Sequence, residues 1–457
     1  MKTSFELGEK TFSIELPDAV KVLHMKGAEK VSAPQKTIAN CLAKPIGSDS
    51  FDTIIRRKIG EDPDGQAVIV ISDNTRPVPY KGDQGILKPL VEKMLEAGVP
   101  AANITVLCAN GTHTPLPDEI FREMIDPWIY EQGISIINHD CLDEENLKFL
   151  GYTSTGTKIK INRIYAEAHI KILTGLVESH FMAGVSGGRK SICPGLIGED
   201  STFIFHGVHN LAHPKSVDLV LKGNPCHEEA LEVAFSVGSD FIFNVTLNQD
   251  FDVTGFFAGD MIEAHEAAFH KVKDSVVIDA GGKYDIVITH AGFVGKNHYQ
   301  AAKTGCAAIP LLKEDSYLII GADCTDSDPV GKQTYKDVLK ELKNKEADVF
   351  IDLLKSDDWT FVPDQWQVQM WTKVFKVIPQ NQFIYYAPQI KKEDYGYLPG
   401  EDGNSFLPED HRYSADDKYL PEFLESSLNM LMEKLKKEGR RDIRIAWMSD
   451  GPYGIVE

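Results

Sequence analysis

A polar loop directly after an apolar run carries the first residues that could bind an anionic ligand. The loop, SDNTRPVPY (72–80), contains Asp73 and Arg76, and Pro77 and Pro79 stiffen it because they exclude regular secondary structure. An arginine on a rigid loop suits bidentate binding of a carboxylate or a phosphate. An Asp–Arg pair that only locks a turn is an equally good interpretation of these residues taken alone.

A histidine follows the next strand-like run. His113 lies among small residues in the loop NGTHTP (110–115). Histidine near its ordinary pKa is the usual general acid or base, although a lone histidine is more often structural or simply exposed. Its position at the carboxyl end of the strand that follows the Asp–Arg loop favours a functional role.

The densest group of chemically useful residues lies in ESHFMAGVSGGRKSICPG (178–195). Small residues let a phosphate approach main-chain N–H groups, and a desolvated lysine can act as a nucleophile. The candidate residues in this segment are His180, Ser186, Gly187, Gly188, Arg189 and Lys190. The loop from Ser186 to Arg189 is the candidate for binding a phosphate. A plain glycine-rich turn is the less favoured interpretation, since a turn needs neither the Arg-Lys pair nor the histidine.

The same segment comes close to the phosphate loop G-x-x-x-x-G-K-[ST] of nucleotide-binding enzymes. Counted from Gly184, the lysine and serine fall on Lys190 and Ser191, but Arg189 stands where the second glycine is required. The phosphate cradle depends on the backbone of that glycine. A kinase or ATPase is therefore an alternative, but a disfavoured one.

Three histidines in FHGVHNLAH (205–213) could bind a metal ion. His206, His209 and His213 would share one face if the segment were a helix, and imidazole is a common ligand of nickel, zinc and copper. A solvated helix face or a capping cluster is the more frequent reason for such spacing. The chain has no H-E-x-x-H motif, which weakens the alternative of a zinc hydrolase.

Two segments in the second half of the chain add candidates at predicted helix starts. They are KNHYQAAK (296–303), after a strand-like run, and VPDQWQVQMW (362–371), where a Pro-Asp cap precedes the helix. The candidate residues are Tyr299, Gln300, Lys303 and Trp366. Each could instead cap a helix or belong to the core, so these segments alone do not establish a site.

The motifs follow strands of a predicted α/β fold, in which short apolar runs alternate with helical periods. QAVIVIS (66–72) is typical of a buried parallel strand, and GILKPLVEKMLEAG (85–98) of a helix that ends at Gly98. Further strands are predicted in NITVLCANG (103–111), ISIINHD (134–140) and HIKILTGLVES (169–179). The pattern indicates a doubly wound sheet, which residues 241–258 interrupt as an antiparallel hairpin.

A second set of strands begins after the polar stretch 280–283. The predicted strands are 284–292, 316–323, 348–354, 382–388 and 443–451, and 392–418 is predicted as a long loop. We therefore predict two α/β domains, residues 1–275 and 283–457. Because ligands bind at the carboxyl ends of such strands and in clefts between domains, we expect the cofactor and substrate in a cleft between these two.

Charge and cysteine usage restrict the partners. The formal net charge of −20 argues against nucleic acid and anionic membranes, since both need a basic face. The seven cysteines include no C-x-x-C pair, which suits a reducing cytoplasm rather than a disulfide framework or zinc ribbon. The N-terminus shows no signal-peptide pattern, and no stretch approaches the roughly 18 apolar residues of a membrane span. We expect a cytoplasmic protein.

Taken together, these segments resemble the nickel-dependent lactate racemase family over essentially the whole chain. The resemblance is strongest across residues 72–76, 111–113, 179–206 and 299–303. The most specific part is SHxxAGxSGGRK, followed by a histidine sixteen residues after the lysine. The resemblance implies an isomerase with two α/β domains and a nickel-pincer nucleotide, a pyridinium mononucleotide whose two sulfur arms hold nickel.

The resemblance also implies a role for each candidate residue. Lys190 matches the lysine that forms a thioamide with one sulfur arm, and His206 matches the protein ligand to nickel. His113 and His180 match the paired acid/base histidines. Arg76 matches the arginine that grips the substrate carboxylate. The remaining matches are Lys303, as a second cationic contact to the substrate, and Asp73, Tyr299, Gln300 and Trp366, which line the cofactor and substrate cleft.

The expected reaction inverts C2 of a 2-hydroxy acid. Its Cα–H is too weakly acidic for simple deprotonation, so removal as hydride avoids a dianion, while one histidine takes the hydroxyl proton. The segment GFVGKNHYQ (292–300) lacks the Pro and Asp typical of the family, which predicts a substrate other than lactate, such as malate, another 2-hydroxy acid or a sugar acid such as gluconate. Cofactor-synthesis enzymes are implied partners, and a non-catalytic hydroxy-acid binding protein is a further alternative.

Overall fold

The computed structural model describes residues 1–343 and 345–457 and divides the chain into two compact units. The N-terminal unit comprises Gly27–His206 and Lys215–Ser275; the C-terminal unit comprises Met1–Lys26, Gly207–Pro214 and Val276–Glu457. These bounds differ from the predicted domains 1–275 and 283–457, because the first 26 residues and residues 207–214 group with the C-terminal unit.

The described residues form twenty strands. In chain order they are β1 Lys2–Leu7, β2 Lys10–Glu15, β3 Val20–Leu23, β4 Ala67–Ile71, β5 Ile104–Cys108, β6 Ser135–Asn138, β7 Leu147–Tyr152, β8 Lys158–Asn162, β9 Ile170–Leu176, β10 Ser179–His180, β11 Gly184–Val185, β12 Phe241–Leu247, β13 Val253–Gly259, β14 Val277–Ile278, β15 Ile286–His290, β16 Tyr317–Gly321, β17 Phe383–Tyr386, β18 Glu401–Asp402, β19 Ile445–Met448 and β20 Ile455–Val456.

Fifteen α-helices complete the regular structure of the described residues. They are α1 Pro34–Ala43, α2 Phe51–Glu61, α3 Leu87–Ala97, α4 Asp118–Met124, α5 Pro127–Glu131, α6 Arg163–Glu167, α7 Glu199–Phe205, α8 Val208–Leu211, α9 Pro225–Val237, α10 Glu263–Val276, α11 His298–Ala308, α12 Gln333–Lys343, α13 Ala347–Lys355, α14 Gln365–Phe375 and α15 Tyr419–Lys437. None of these helices has the length and apolar composition needed to cross a membrane.

The N-terminal unit is built on a six-stranded sheet of order β13-β12-β9-β4-β5-β6. All neighbouring strands are parallel except β12 and β13, which form the predicted antiparallel hairpin. All five residues of β4 are buried, as expected for a central strand covered on both faces. Ile69 and Ile71 pack in one core with Leu90 and Met94 of α3.

The C-terminal unit has a parallel sheet of order β18-β17-β16-β15-β19-β3. Its edge strand β3 comes from the start of the chain and pairs with β19, with Val22 opposite Trp447. That pairing explains why Met1–Lys26 belongs to this unit. Ile319 of β16 shares a core with Leu424 of α15. The α/β fold class predicted from the sequence is confirmed.

One predicted strand of the C-terminal unit is wrong. Residues 348–354 lie in the helix α13, where Ala347, Phe350, Ile351 and Leu354 are the buried positions. This i, i+3, i+4, i+7 spacing places one apolar stripe on a helix. The sequence alone does not reveal this helical period, because Val349 is also apolar although its side chain faces solvent.

Candidate active site

The candidate residues of the N-terminal unit converge because they follow three adjacent parallel strands. Strands β9, β4 and β5 are neighbours in the sheet. Asp73 and Arg76 follow β4, His113 follows β5, and Glu178 and His180 follow β9. The carboxyl ends of parallel strands meet at one edge of a sheet, which is where ligands of such folds bind.

Asp73 holds the ring of His113 in one orientation. Asp73 Oδ2 lies 2.6 Å from His113 Nδ1, and Asp73 Oδ1 accepts hydrogen bonds from the backbone N–H (3.0 Å) and hydroxyl (2.5 Å) of Thr75. Burial favours the neutral carboxyl, but hydrogen bonds from His113 and Thr75 outweigh it and lower the pKa of Asp73. An ionised carboxylate can only accept, so the Nδ1 proton faces Asp73 and the Nε2 lone pair faces outward.

Arg76 is paired with an acid that follows β9. Its Nε atom lies 3.4 Å from Glu178 Oε1, and its terminal nitrogen donates to the carbonyl of Thr75 at 3.0 Å. Both side chains keep some exposure to solvent. The Arg76 side chain therefore lies near Asp73 and is partly accessible to solvent, as binding of a carboxylate ligand requires.

His180 contacts Lys190 directly. The ring lies on β10, which pairs with β11, and its Nδ1 accepts from the backbone N–H groups of Met182 and Ala183, at 3.3 Å each. Its Nε2 lies 2.9 Å from Lys190 Nζ. Burial, together with the charges of Arg76 and Arg189, lowers the pKa of Lys190 well below its ordinary value. A neutral lysine amine is a nucleophile.

The glycine-rich loop before Lys190 depends on its two glycines. Gly187 and Gly188 have φ angles of +71° and +52°. A Cβ atom at Gly187 would lie 2.6 Å from a methyl carbon of Val177, and one at Gly188 would lie 2.8 Å from a ring carbon of His265. No L side chain fits there without displacing its surroundings, so the close packing of this loop requires glycine at both positions.

The polar side chains of that loop are bound within the N-terminal unit. The Ser186 hydroxyl donates to the carbonyl of Leu176 at 2.7 Å. The Arg189 side chain is completely buried and donates to the carbonyls of Ala183 (2.9 Å) and Gly187 (3.3 Å). Burial lowers the pKa of Arg189 to about 9. These two side chains brace the loop, so a phosphate here would be bound chiefly by backbone N–H groups.

The loop does not have the architecture of a phosphate loop. Residues Gly188–Ser191 form a single 3-10 turn, and the next α-helix begins only at Glu199. In a phosphate loop the helix begins directly at the lysine and presents its N-terminal N–H groups to the phosphates. The structure therefore argues against the kinase or ATPase alternative.

His206 ends α7 beside this cluster. Burial lowers the pKa of His206 to about 3. The imidazole is therefore neutral, which is the form that binds a metal. The segment is not one continuous helix, because α7 ends at Phe205 and a new helix, α8, begins after Gly207, so the condition for a face shared with His209 and His213 is not met. Among the described residues, no group of three or more His, Cys, Asp or Glu is arranged to hold a metal ion.

The candidates of the C-terminal unit form a second group. Asn297 caps α11 through the backbone N–H of Gln300 at 2.8 Å, so neither Tyr299 nor Gln300 is the cap. The indole N–H of Trp366, in the first turn of α14, donates to the Tyr299 hydroxyl at 2.5 Å. Lys303 lies one turn after Tyr299 and is half-buried. Tyr299 and Trp366 are therefore brought together, each on a helix start as predicted.

Comparisons with known proteins identify the family. Residues 7–218 match the family model of the lactate racemase N-terminal domain, and residues 280–393 match that of the lactate racemase C-terminal domain. The lactate racemase of Lactiplantibacillus plantarum is 30% identical over 375 residues, which cover 81% of this chain and 83% of that protein. The chain belongs to the lactate racemase family. The predicted resemblance is confirmed, and the chain is an isomerase of the racemase class.

One further relative agrees with this membership of the lactate racemase family, and two solved structures match the fold. The lactate racemase of Thermoanaerobacterium thermosaccharolyticum is 28% identical over 372 residues, or 80% of this chain and 84% of that protein. The structure of the lactate racemase apoprotein from that organism matches with a TM-score of 0.82 and 23% identity, covering both chains completely. A Thermotoga maritima protein matches with a TM-score of 0.57 and 18% identity over 90% of this chain and 99% of its own.

Sequence reasoning missed two contacts of this lactate racemase family site. Glu178 stands in the quoted motif, and its position two residues before His180 was a usable signal for a partner of Arg76. His265 gave no signal, because it reaches the loop from α10, 77 residues after Gly188 in the sequence. Its Nε2 lies 2.8 Å from the carbonyl oxygen of Ser186.

Proposed function

We propose that this lactate racemase family member inverts C2 of a 2-hydroxy acid, with His113 and His180 as the acid–base pair. The observation that carries the proposal is the convergence of two histidines, Arg76 and a lysine whose pKa is lowered by burial, at the carboxyl ends of adjacent strands. Arg76 supplies the charge that orients the substrate carboxylate. Asp73 fixes the His113 tautomer that offers a lone pair to the substrate hydroxyl.

We propose a nickel-pincer nucleotide as the cofactor, since the donor atoms fit it. Lys190 offers a neutral amine for covalent attachment, and His206 offers a neutral imidazole as a ligand for nickel. Backbone N–H groups of the loop that contains Gly187 and Gly188 are the proposed site of the nucleotide phosphate. When bound, this cofactor supplies an acceptor that takes the C2 hydrogen as hydride and returns it.

The remaining residue roles follow from the same proposal. While hydride leaves C2, His113 accepts the hydroxyl proton through Nε2, and Arg76 keeps the carboxylate in place. The opposite enantiomer presents its hydroxyl on the other side, which requires His180 as a second base. Ser186 and Arg189 hold the loop that carries Lys190. Further proposed contacts are Lys303 and Trp366 to the substrate, and Asp73, Tyr299 and Gln300 to the cofactor.

We further propose that the preferred substrate is larger than lactate, such as malate, another 2-hydroxy acid or a sugar acid such as gluconate. The loop before α11 supports this, because it carries Phe293, which is exposed, and Lys296, whose ammonium lies 4.6 Å from the centre of the Phe293 ring. A lysine ammonium held against an aromatic face can bind an anionic or hydroxyl group at the second end of a larger substrate.

The test uses holoenzyme matured by co-expression with cofactor-synthesis enzymes. Enantiopure 2-hydroxy acids that carry deuterium at C2 are incubated with the enzyme, and chiral chromatography with mass detection follows the opposite enantiomer. We expect inversion with the deuterium retained, because hydride returns to the same carbon. Loss of the label to solvent would contradict hydride transfer, and no inversion of any acid on the panel would contradict the proposed function.

A further inference from the structure

The proton positions on His180 follow from its hydrogen bonds. The backbone N–H groups of Met182 and Ala183 both point at Nδ1, and a backbone N–H can only donate. Nδ1 must therefore be the unprotonated nitrogen. A neutral imidazole then carries its proton on Nε2.

That proton faces Lys190. Nε2 lies 2.9 Å from Nζ, so a hydrogen bond between them requires Nζ to accept through a lone pair. An ammonium has no lone pair and cannot accept. The pair is therefore consistent only with a neutral Lys190 amine. The buried surroundings of Lys190 and the nearby cations Arg76 and Arg189 favour the same neutral form.

We propose that, before any cofactor is attached, His180 is a positioning residue that holds the Lys190 amine neutral and aimed for attack on an acyl or thioacyl carbon. This role precedes the acid–base role of His180 in the proposed function. With a thiocarboxylic acid, the nitrogen–carbon bond forms and the carbon–oxygen bond breaks. One amine proton and the thioacid proton leave with the oxygen as water, and the product is a thioamide.

The attachment changes what His180 can do. The nitrogen of an amide or thioamide delocalises its lone pair and no longer accepts a hydrogen bond, so Nε2–H loses Lys190 as its acceptor. To act as a base on the substrate, the ring must then also turn away from the N–H groups of Met182 and Ala183, because Nδ1 carries its basic lone pair. His180 would thus position Lys190 before the cofactor is attached and act as an acid–base group afterwards.

The experiment measures amine reactivity in the apoprotein with cyanate as the probe. The amine nitrogen adds to the carbon of isocyanic acid, one proton moves to the other nitrogen, and nothing leaves. Peptide mass spectrometry gives the rate at each lysine. Lys171 is the internal reference, since it is half-buried and its pKa is also lowered by burial, but its Nζ donates to the carbonyl of Val237 at 3.0 Å.

The wild type and three variants give a definite order of rates. An ordinary amine of pKa 10.4 is neutral in only about one molecule in 2,500 at pH 7. Burial raises that fraction for both lysines, but only at Lys190 does a ring N–H face the amine lone pair, so we expect Lys190 to react at least about 10-fold faster than Lys171. His180→Ala should lower this ratio several-fold. His180→Gln should restore it, because the amide N–H still donates. His180→Glu should fall below His180→Ala, because a carboxylate stabilises the ammonium.

The inference would be overturned by a wild-type ratio near one, or by a ratio in His180→Ala equal to that of the wild type. A His180→Gln ratio no higher than that of His180→Ala would also overturn it, since the donor would then be irrelevant. Unchanged Lys171 rates report that each variant is folded, and the isosteric Gln and Glu variants are compared directly. No cofactor or substrate is used, so failure of this inference is separate from failure of the proposed racemase activity.

Discussion

The Asp73→Asn substitution tests the acid–base assignment of His113 most directly. Asparagine keeps the size of the side chain, and its carbonyl oxygen can still accept from Thr75. Its NH₂ group then faces His113 Nδ1 in place of the carboxylate that lies at 2.6 Å in the wild type. Since an amide N–H donates, the ring must adopt the other tautomer, and Nε2 changes from a base into a donor.

The size of the effect follows from what the carboxylate provides. A general acid–base group contributes about 10²–10⁴-fold to a rate, and the same change behind the catalytic histidine of serine proteases costs about 10⁴-fold. The His113 ring is half exposed here, so water can partly replace the lost partner. We therefore expect kcat/KM to fall about 10²-fold, which corresponds to about 2.7 kcal/mol of transition-state stabilisation.

The assay measures initial rates of inversion from each enantiomer, on holoenzyme with matched nickel content. Enantiomers have equal free energies, so kcat/KM must fall by the same factor in both directions. Asp118→Asn is the control, because Asp118 forms an exposed ion pair with Arg122 and should not change the rate. If Asp73→Asn keeps more than about a third of the wild-type kcat/KM, the carboxylate does not set the tautomer and the assignment fails.

The remaining predictions concern stability, metal and loop geometry. Because the pKa of Asp73 is lowered in the folded protein, the wild type should have a larger unfolding free energy than Asp73→Asn at pH 7. The difference should vanish as the pH falls through that lowered pKa, and denaturant titrations at pH 7 and at a pH below the lowered pKa measure it. His206→Ala should reduce the nickel of holoenzyme to below about a tenth by elemental analysis while the lysine adduct persists by mass, whereas His209→Ala, on an exposed residue, should keep its nickel. Gly188→Ala should lower the unfolding free energy by at least about 1 kcal/mol more than Gly133→Ala. Both glycines have a positive φ, but only at Gly188 would a Cβ atom lie 2.8 Å from a ring carbon. Equal losses of unfolding free energy would mean that the loop moves to accommodate the Cβ atom.

The sequence predicted those parts of the fold that local patterns determine. Strands such as β4 and β15 are buried on both faces, so they appear as continuous apolar runs. The end of α3 at Gly98 was predicted because helices commonly end at a glycine, and Gly98 indeed adopts the left-handed φ of 106° that favours this residue. The pairing of β3 with β19 joins residues more than 400 positions apart, and no local pattern encodes it.

The same distinction applies to the candidate site. Asp73 and His113 were found because each follows a recognisable strand, and strand order then brings them to 2.6 Å. Whether His206, His209 and His213 share a helix could not be decided from the sequence, since a glycine between two helical segments can continue a helix or break it. Here Gly207 takes an extended ψ of 163° and starts a new helix. Tertiary packing decides that choice, and residue spacing does not.

The two histidines of the site are held in different ways, and the difference bears on when the protein can act. A buried carboxylate fixes His113, and nothing in the proposed chemistry removes it. Lys190, by contrast, contacts His180 through Nε2 only while its amine keeps a lone pair, beside the backbone N–H groups of Met182 and Ala183 that bind Nδ1. A chain without its attached cofactor would therefore have one base ready and the other engaged with the lysine. Attachment at Lys190 would supply the hydride acceptor and at the same step remove the lysine from the second base, so cofactor loading and the freeing of His180 Nε2 from Lys190 would be coupled.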